Sequence, residues 1–67
     1  MKLSARNQLP GIVEQVHLGE IMARIVVKVG EHVMESVITR QSAEDLGLKQ
    51  GDSVLVVVKS TEVMIQK

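Results

Sequence analysis

Met22-Ala23-Arg24-Ile25-Val26-Val27-Lys28-Val29, then Gly30-Glu31, then His32-Val33-Met34-Glu35-Ser36-Val37-Ile38-Thr39, is the stretch that decides the fold. In an extended chain Ala23, Ile25, Val27 and Val29 share one face, and Met22, Arg24, Val26 and Lys28 share the other. Gly30-Glu31 is a turn signal between two apolar arms, so residues 22–39 read as a β-hairpin.

Working outward, Gly19-Glu20 is a second turn signal and Ile12 to Leu18 reads as another strand. Simple alternation puts Val13 and Gln15 on one side of it and Ile12, Glu14, Val16 and Leu18 on the other. Pro10-Gly11 punctuates its entry, and residues 1–8 are polar without a period. Beyond the hairpin the period changes. Residues 39–47 read as a short helix that starts near Thr39 or Arg40 and ends at Gly47, with Leu48 following as an apolar contact. After a turn at 49–52, Ser53 to Lys59 is a strand whose five consecutive apolar residues imply cover on both faces. In so short a chain the second cover is expected from a partner subunit. Val63-Met64-Ile65 reads as a last short strand. The fold expected is mainly β: one domain over residues 1–67, a small OB-like Greek-key barrel of about five strands, with one short helix between strands 3 and 4.

A chain of 67 residues buries only about 60% of its unfolded surface and needs support. There is no Cys, so disulfides and thiolate metal sites are excluded, and two His, His17 and His32, are too few for a closed metal cage. Oligomerisation remains as the support. There is no Phe, Tyr or Trp, so a single-stranded nucleic-acid platform is missing. Eight basic and eight acidic residues give no net charge, which argues against a nucleic-acid or membrane-surface binder. No run reaches the length of a membrane helix, and Met1 to Arg6 has no apolar core of a signal peptide, so a cytoplasmic location is expected. Gly-rich phosphate loops, nucleophile elbows and acid–base pairs are not found, so no enzyme is expected. His17 and His32 read as surface or turn residues, and Met22, Met34 and Met64 as packing rather than metal ligands.

Two segments concentrate hydrogen-bond donors. Ser4-Ala5-Arg6-Asn7-Gln8 brings a guanidinium with five N–H groups, a hydroxyl and backbone N–H groups outside any ladder. Lys59-Ser60-Thr61 brings an ammonium and two hydroxyls. Thr39 and Ser42 add hydroxyls at the start of the short helix. If the fold joins these ends, the pocket consists of donors alone, which suits a tetrahedral dianion that has no proton to give back.

Ser4-Ala5-Arg6-Asn7-Gln8-Leu9, Val37-Ile38-Thr39-Arg40-Gln41-Ser42 and Val58-Lys59-Ser60-Thr61-Glu62-Val63-Met64-Ile65 resemble the molbindins, small single-domain members of the transport-associated OB family. The resemblance covers nearly the whole chain. It implies an OB-like barrel, a homohexamer built as a trimer of dimers, and molybdate or tungstate bound in pockets between subunits, with no organic cofactor. Matched residue by residue, Ser4, the N–H of Ala5, Arg6, Lys59 and Ser60 would face the anion, with Asn7 and Thr61 beside them. Thr39 and Ser42 match hydroxyl positions of related molybdate-responsive regulators. Pro10 departs from the family pattern without removing a ligand. Molybdate, tungstate and sulfate are proton-free dianions near neutral pH; phosphate keeps a proton that donors alone cannot satisfy. The choice of molybdenum therefore rests on the resemblance.

Leu46 to Val56 also looks like the helix-turn-strand passage of swapped-hairpin, transition-state-regulator DNA-binding dimers. The dispersed basic residues and the different N-terminal segment stand against that alternative.

Overall fold

The computed structural model describes residues 6–67. The order is β1 (Asn7–Leu18), β2 (Met22–Val29), β3 (His32–Thr39), α1 (Arg40–Leu46), β4 (Ser53–Val58) and a 3-10 turn at Ser60–Glu62. The hairpin of β2 and β3 has the expected limits, and Gly30 takes its left-handed position at φ 60°.

All pairing is antiparallel and the spatial order is β3-β2-β1-β4. Three consecutive strands with a fourth returning beside the first is a Greek key, and helix α1 lies on the long connection. β1 is shared between two partners. Its first half, Asn7 to Ile12, pairs with β4, and its second half, Ile12 to Leu18, pairs with β2. This is why the strand begins five residues earlier than its apolar pattern suggests. Pro10 lies in the half with a strand on one side only, where a missing N–H is tolerated. Gly11, between the halves, is buried because β2 passes too close for a side chain.

A bulge between Val13 and Gln15 breaks the alternation of β1. Val16 therefore packs with Val13 on the core, not on the opposite face with Ile12 as simple alternation required. The bulge is held by backbone bonds from Val13 N–H to Asp52 O (2.9 Å) and from Gly51 N–H to Val13 O (2.8 Å). These fix the turn that launches β4.

Helix α1, seven residues, is about two turns long and needs its caps. Thr39 Oγ1 accepts the Ser42 N–H at 3.0 Å. At the other end Gly47 sits at φ 62°; its N–H reaches Glu44 O at 3.0 Å, and Leu48 N–H reaches Ala43 O at 3.2 Å, a Schellman closure. Ala43 carries the helix onto the core of Val13, Ala23, Ile25 and Val27. Leu48, Ile38, Val54 and Val56 pack around it. Each fully buried aliphatic side chain contributes about 1.5–3 kcal/mol.

Two expectations need correction. Among the described residues four strands form where about five were expected. Val63-Met64-Ile65 has strand-forming residues but no ladder, and Met64 and Ile65 are 92% and 88% exposed. The apolar run of β4 alternates, with Val54, Val56 and Val58 half-buried and Leu55 and Val57 exposed. Among the described residues only one of its faces is covered. Met22 and Met64 likewise lie exposed, so neither packs into this chain's core.

Candidate functional site

The donor-rich segments are brought together by the β1–β4 ladder. Its last pair is Asn7 with Val58, so the next step brings Arg6 and Lys59 to the same end of the sheet. Asn7 is half-buried, while Arg6 and Lys59 are exposed with no ion pair among the described residues. Lys59 then caps the 3-10 turn of Ser60–Glu62, where Glu62 N–H donates to Lys59 O at 2.9 Å and Val63 N–H to Ser60 O at 3.4 Å. The N–H groups of Ser60 and Thr61 precede the first i→i+3 acceptor of this turn, so the turn itself offers them no partner. Two cations, two hydroxyls and the N–H groups of Ser60 and Thr61 thus gather at one end, with the carboxylate of Glu62 in the same turn. Ser4 and Ala5 lie outside the described residues.

Thr39 and Ser42 are elsewhere. Thr39 pairs with Met22 beside the β1–β2 turn, whereas Asn7 lies at the far end of β1. One chain therefore does not bring these hydroxyls to Arg6 and Lys59. The Thr39 hydroxyl is committed twice: it accepts the Ser42 N–H and donates to Ser42 Oγ at 2.8 Å. The Ser42 O–H is left as the donor of the pair. The shallow depression here is lined by Glu20, Glu44 and Asp45 as well as Arg40. Arg40 is itself committed, through Nε to Glu44 Oε1 at 2.7 Å and Nη1 to Gly19 O at 3.2 Å. The pairing with Glu44 was readable as an i,i+4 spacing; the bond to Gly19 was not, because it depends on where the β1–β2 turn lands. With carboxylates in excess, this depression repels an anion unless cations come from outside it.

Among the described residues the remaining polar side chains form no second constellation. His17 is exposed, its Nε2 2.7 Å from Gln15 Oε1, and His32 is exposed in β3. Among the described residues no three His, Cys, Asp or Glu side chains gather to hold a metal cation. No described helix is long and apolar enough to cross a membrane.

Residues 3–65 match the TOBE domain family. Molybdenum-pterin-binding proteins 3 and 1 of Clostridium pasteurianum are 46% and 44% identical to the chain over 66 residues, covering 97% of both partners in each alignment. The molybdenum transport protein ModE of Azotobacter vinelandii is 41% identical, with the match spanning 24% of that longer protein. Among solved structures, a molybdate binding protein from Sporomusa ovata superposes with a TM-score of 0.97 at 39% identity, over the whole of both chains. MopII from Clostridium pasteurianum superposes at 0.91 with 42% identity, over 98% of this chain and all of that one. These relatives do not favour the swapped-hairpin DNA-binding alternative. A β-rich Greek key with a donor-rich sheet end, matched over almost its full length, places the chain in the TOBE domain family as a molbindin-type member.

Proposed function

We propose that this protein binds molybdate, and tungstate, in donor-lined pockets between subunits, and that it stores or buffers the anion in the cytoplasm without catalysing a reaction. Residues 1–67 act as one binding domain. The observation that carries this reading is the β1–β4 register, which gathers Arg6, Lys59, Ser60 and Thr61 at one sheet end. The names of the relatives, which refer to molybdenum and molybdate, supply the identity of the anion.

The pocket belongs to an interface for a geometric reason. The Arg6–Lys59 end and the Thr39–Ser42 end lie at opposite ends of β1. Cations and the Ser42 hydroxyl can meet around one anion only if two chains contribute, which a homohexamer built as a trimer of dimers allows. In that arrangement Ser4, the Ala5 N–H, Arg6, Lys59 and Ser60 face the anion, with Asn7 and Thr61 beside it. Charge-assisted bonds in a partly desolvated interface support a dissociation constant on the order of micromolar, about −8 kcal/mol.

Equilibrium dialysis of the parent, Arg6→Ala and Lys59→Ala against molybdate tests the site. Each substitution should cost roughly 1.5–3 kcal/mol of binding, from about tenfold to more than a hundredfold in affinity. If both variants bind molybdate like the parent, the anion sits elsewhere.

A further inference from the structure

Helix α1 meets the sheet through little apolar surface. Ala43 is the buried residue of the helix, and Leu46 at its end is 69% exposed. One methyl group holds a helix close to a sheet but, as a single point of contact, does little to set its rotation. Arg40 supplies what is missing. Its backbone N–H donates to Ile21 O at 2.7 Å, and its Nη1 donates to Gly19 O at 3.2 Å. Its Nε donates to Glu44 Oε1 at 2.7 Å, one turn further along the helix. One rigid, planar group thus ties the first turns of α1 to the β1–β2 turn. That turn is itself tight. Gly19 N–H donates to Met22 O at 2.8 Å, and a Cβ at position 19 would stand 2.8 Å from the same oxygen. Met22 in turn pairs with Thr39, so residues 19–22 and 39–44 form one cross-linked corner.

Ser42 sits in this corner, between Arg40 and Glu44 in the chain. Its Oγ accepts from Thr39 Oγ1, which leaves its own O–H to donate. A hydrogen bond weakens steeply with misalignment, so a small rotation of α1 would turn that O–H away from an acceptor.

We propose that Arg40 is a positioning residue for anion binding: through Gly19 O and Glu44 it holds α1 so that the Ser42 O–H is aimed at the bound oxyanion. The inference rests on the reading that Ser42 of one chain meets the cations of another around one anion. Arg40 acts here through Ser42 and not by its charge, which Glu44 offsets and which shares its depression with Glu20 and Asp45. Positioning and charge predict opposite signs at Glu44. By charge alone, Glu44→Ala removes a carboxylate from beside the anion and strengthens binding. By positioning, it unfastens Arg40 and weakens binding.

The test is equilibrium dialysis against molybdate of the parent, Ser42→Ala, Arg40→Ala, the Arg40→Ala/Ser42→Ala double variant and Glu44→Ala, with the urea midpoint of each recorded alongside. Ser42→Ala should lower affinity about tenfold and Arg40→Ala about threefold to tenfold. The double variant should bind no more weakly than Ser42→Ala alone, because no donor is left to position. The urea midpoint should fall by the same amount for Arg40→Ala in either background, so coupling in binding without coupling in stability separates positioning from a merely structural role. Losses that multiply in the double variant overturn the proposal, as does parental affinity in either single variant. Glu44→Ala reports even if Arg40→Ala does not fold: it should bind about threefold more weakly, and affinity at or above the parent's overturns the proposal. A parent that takes up no molybdate removes the anion-binding reading and this inference together, whereas a parent that binds while the losses multiply removes this inference alone.

Discussion

Gly11→Ala is the substitution that tests the architecture most sharply. A Cβ at position 11 would stand 2.7 Å from Val27 Cγ1, 2.9 Å from the Lys28 carbonyl oxygen and 3.1 Å from Val29 Cγ2. The first neighbour belongs to a buried β-branched side chain with little rotamer freedom, and the second is backbone. Neither can give way without moving β2, which is held by ladders on both sides. Set against this, an added methyl gains up to about 0.8 kcal/mol of burial and some unfolded-state entropy. Overpacking of this kind costs typically about 1–3 kcal/mol net. For 67 residues the unfolding entropy near the midpoint is about 0.14 kcal/mol/K, so the expected fall in Tm is roughly 7–20 °C. The assay is calorimetry or urea unfolding at one fixed protomer concentration, because the proposed assembly would make Tm concentration-dependent. Because Gly11 is where β1 passes from β4 to β2, the variant should also loosen the Arg6–Lys59 end and weaken molybdate binding. A stability change below about 0.5 kcal/mol, with binding intact, would refute the close approach of β1 and β2 at this point.

Other expectations concern single contacts. Thr39→Ala removes the cap of a seven-residue helix and should cost about 1 kcal/mol in urea unfolding; no loss would mean that packing of Ala43 alone holds α1. Val13→Ala truncates the largest fully buried side chain among the described residues and should cost roughly 2 kcal/mol, read as a lower urea midpoint with an unchanged slope. Glu35→Ala breaks the ion pair with Arg24, but both side chains are about half exposed, so the change should stay below about 1 kcal/mol and shrink with added salt. Saturating molybdate should raise Tm in proportion to RT ln(1 + [L]/Kd) for each site; demonstrated binding with no rise in Tm would argue against interface pockets.

The hairpin was legible because its alternation is clean and its turn carries Gly30 at a position that needs φ > 0. Helix α1 was legible from Thr39 and Gly47, whose side chain and backbone freedom close its two ends. β1 was only half legible. Its early start depends on a distant partner, β4, and its bulge is fixed by backbone bonds to Gly51 and Asp52, which leave no mark in the alternation of residues 12–18. Val63-Met64-Ile65 shows the opposite failure: local preference favours a strand, but a strand exists only where an edge receives it. At the site, the sequence identified Arg6 and Lys59 as a pair of cations, and the register accounts for their common end. It did not separate them from Thr39 and Ser42, because distance along a folded strand cannot be read from a list of donors.

Native mass spectrometry with added molybdate, and with sulfate and phosphate in parallel, tests the central claim most directly. The expected result is a hexamer that takes up several molybdate ions and leaves sulfate and phosphate unbound. An assembly of any size that remains free of molybdate, or that takes up sulfate equally well, would contradict it.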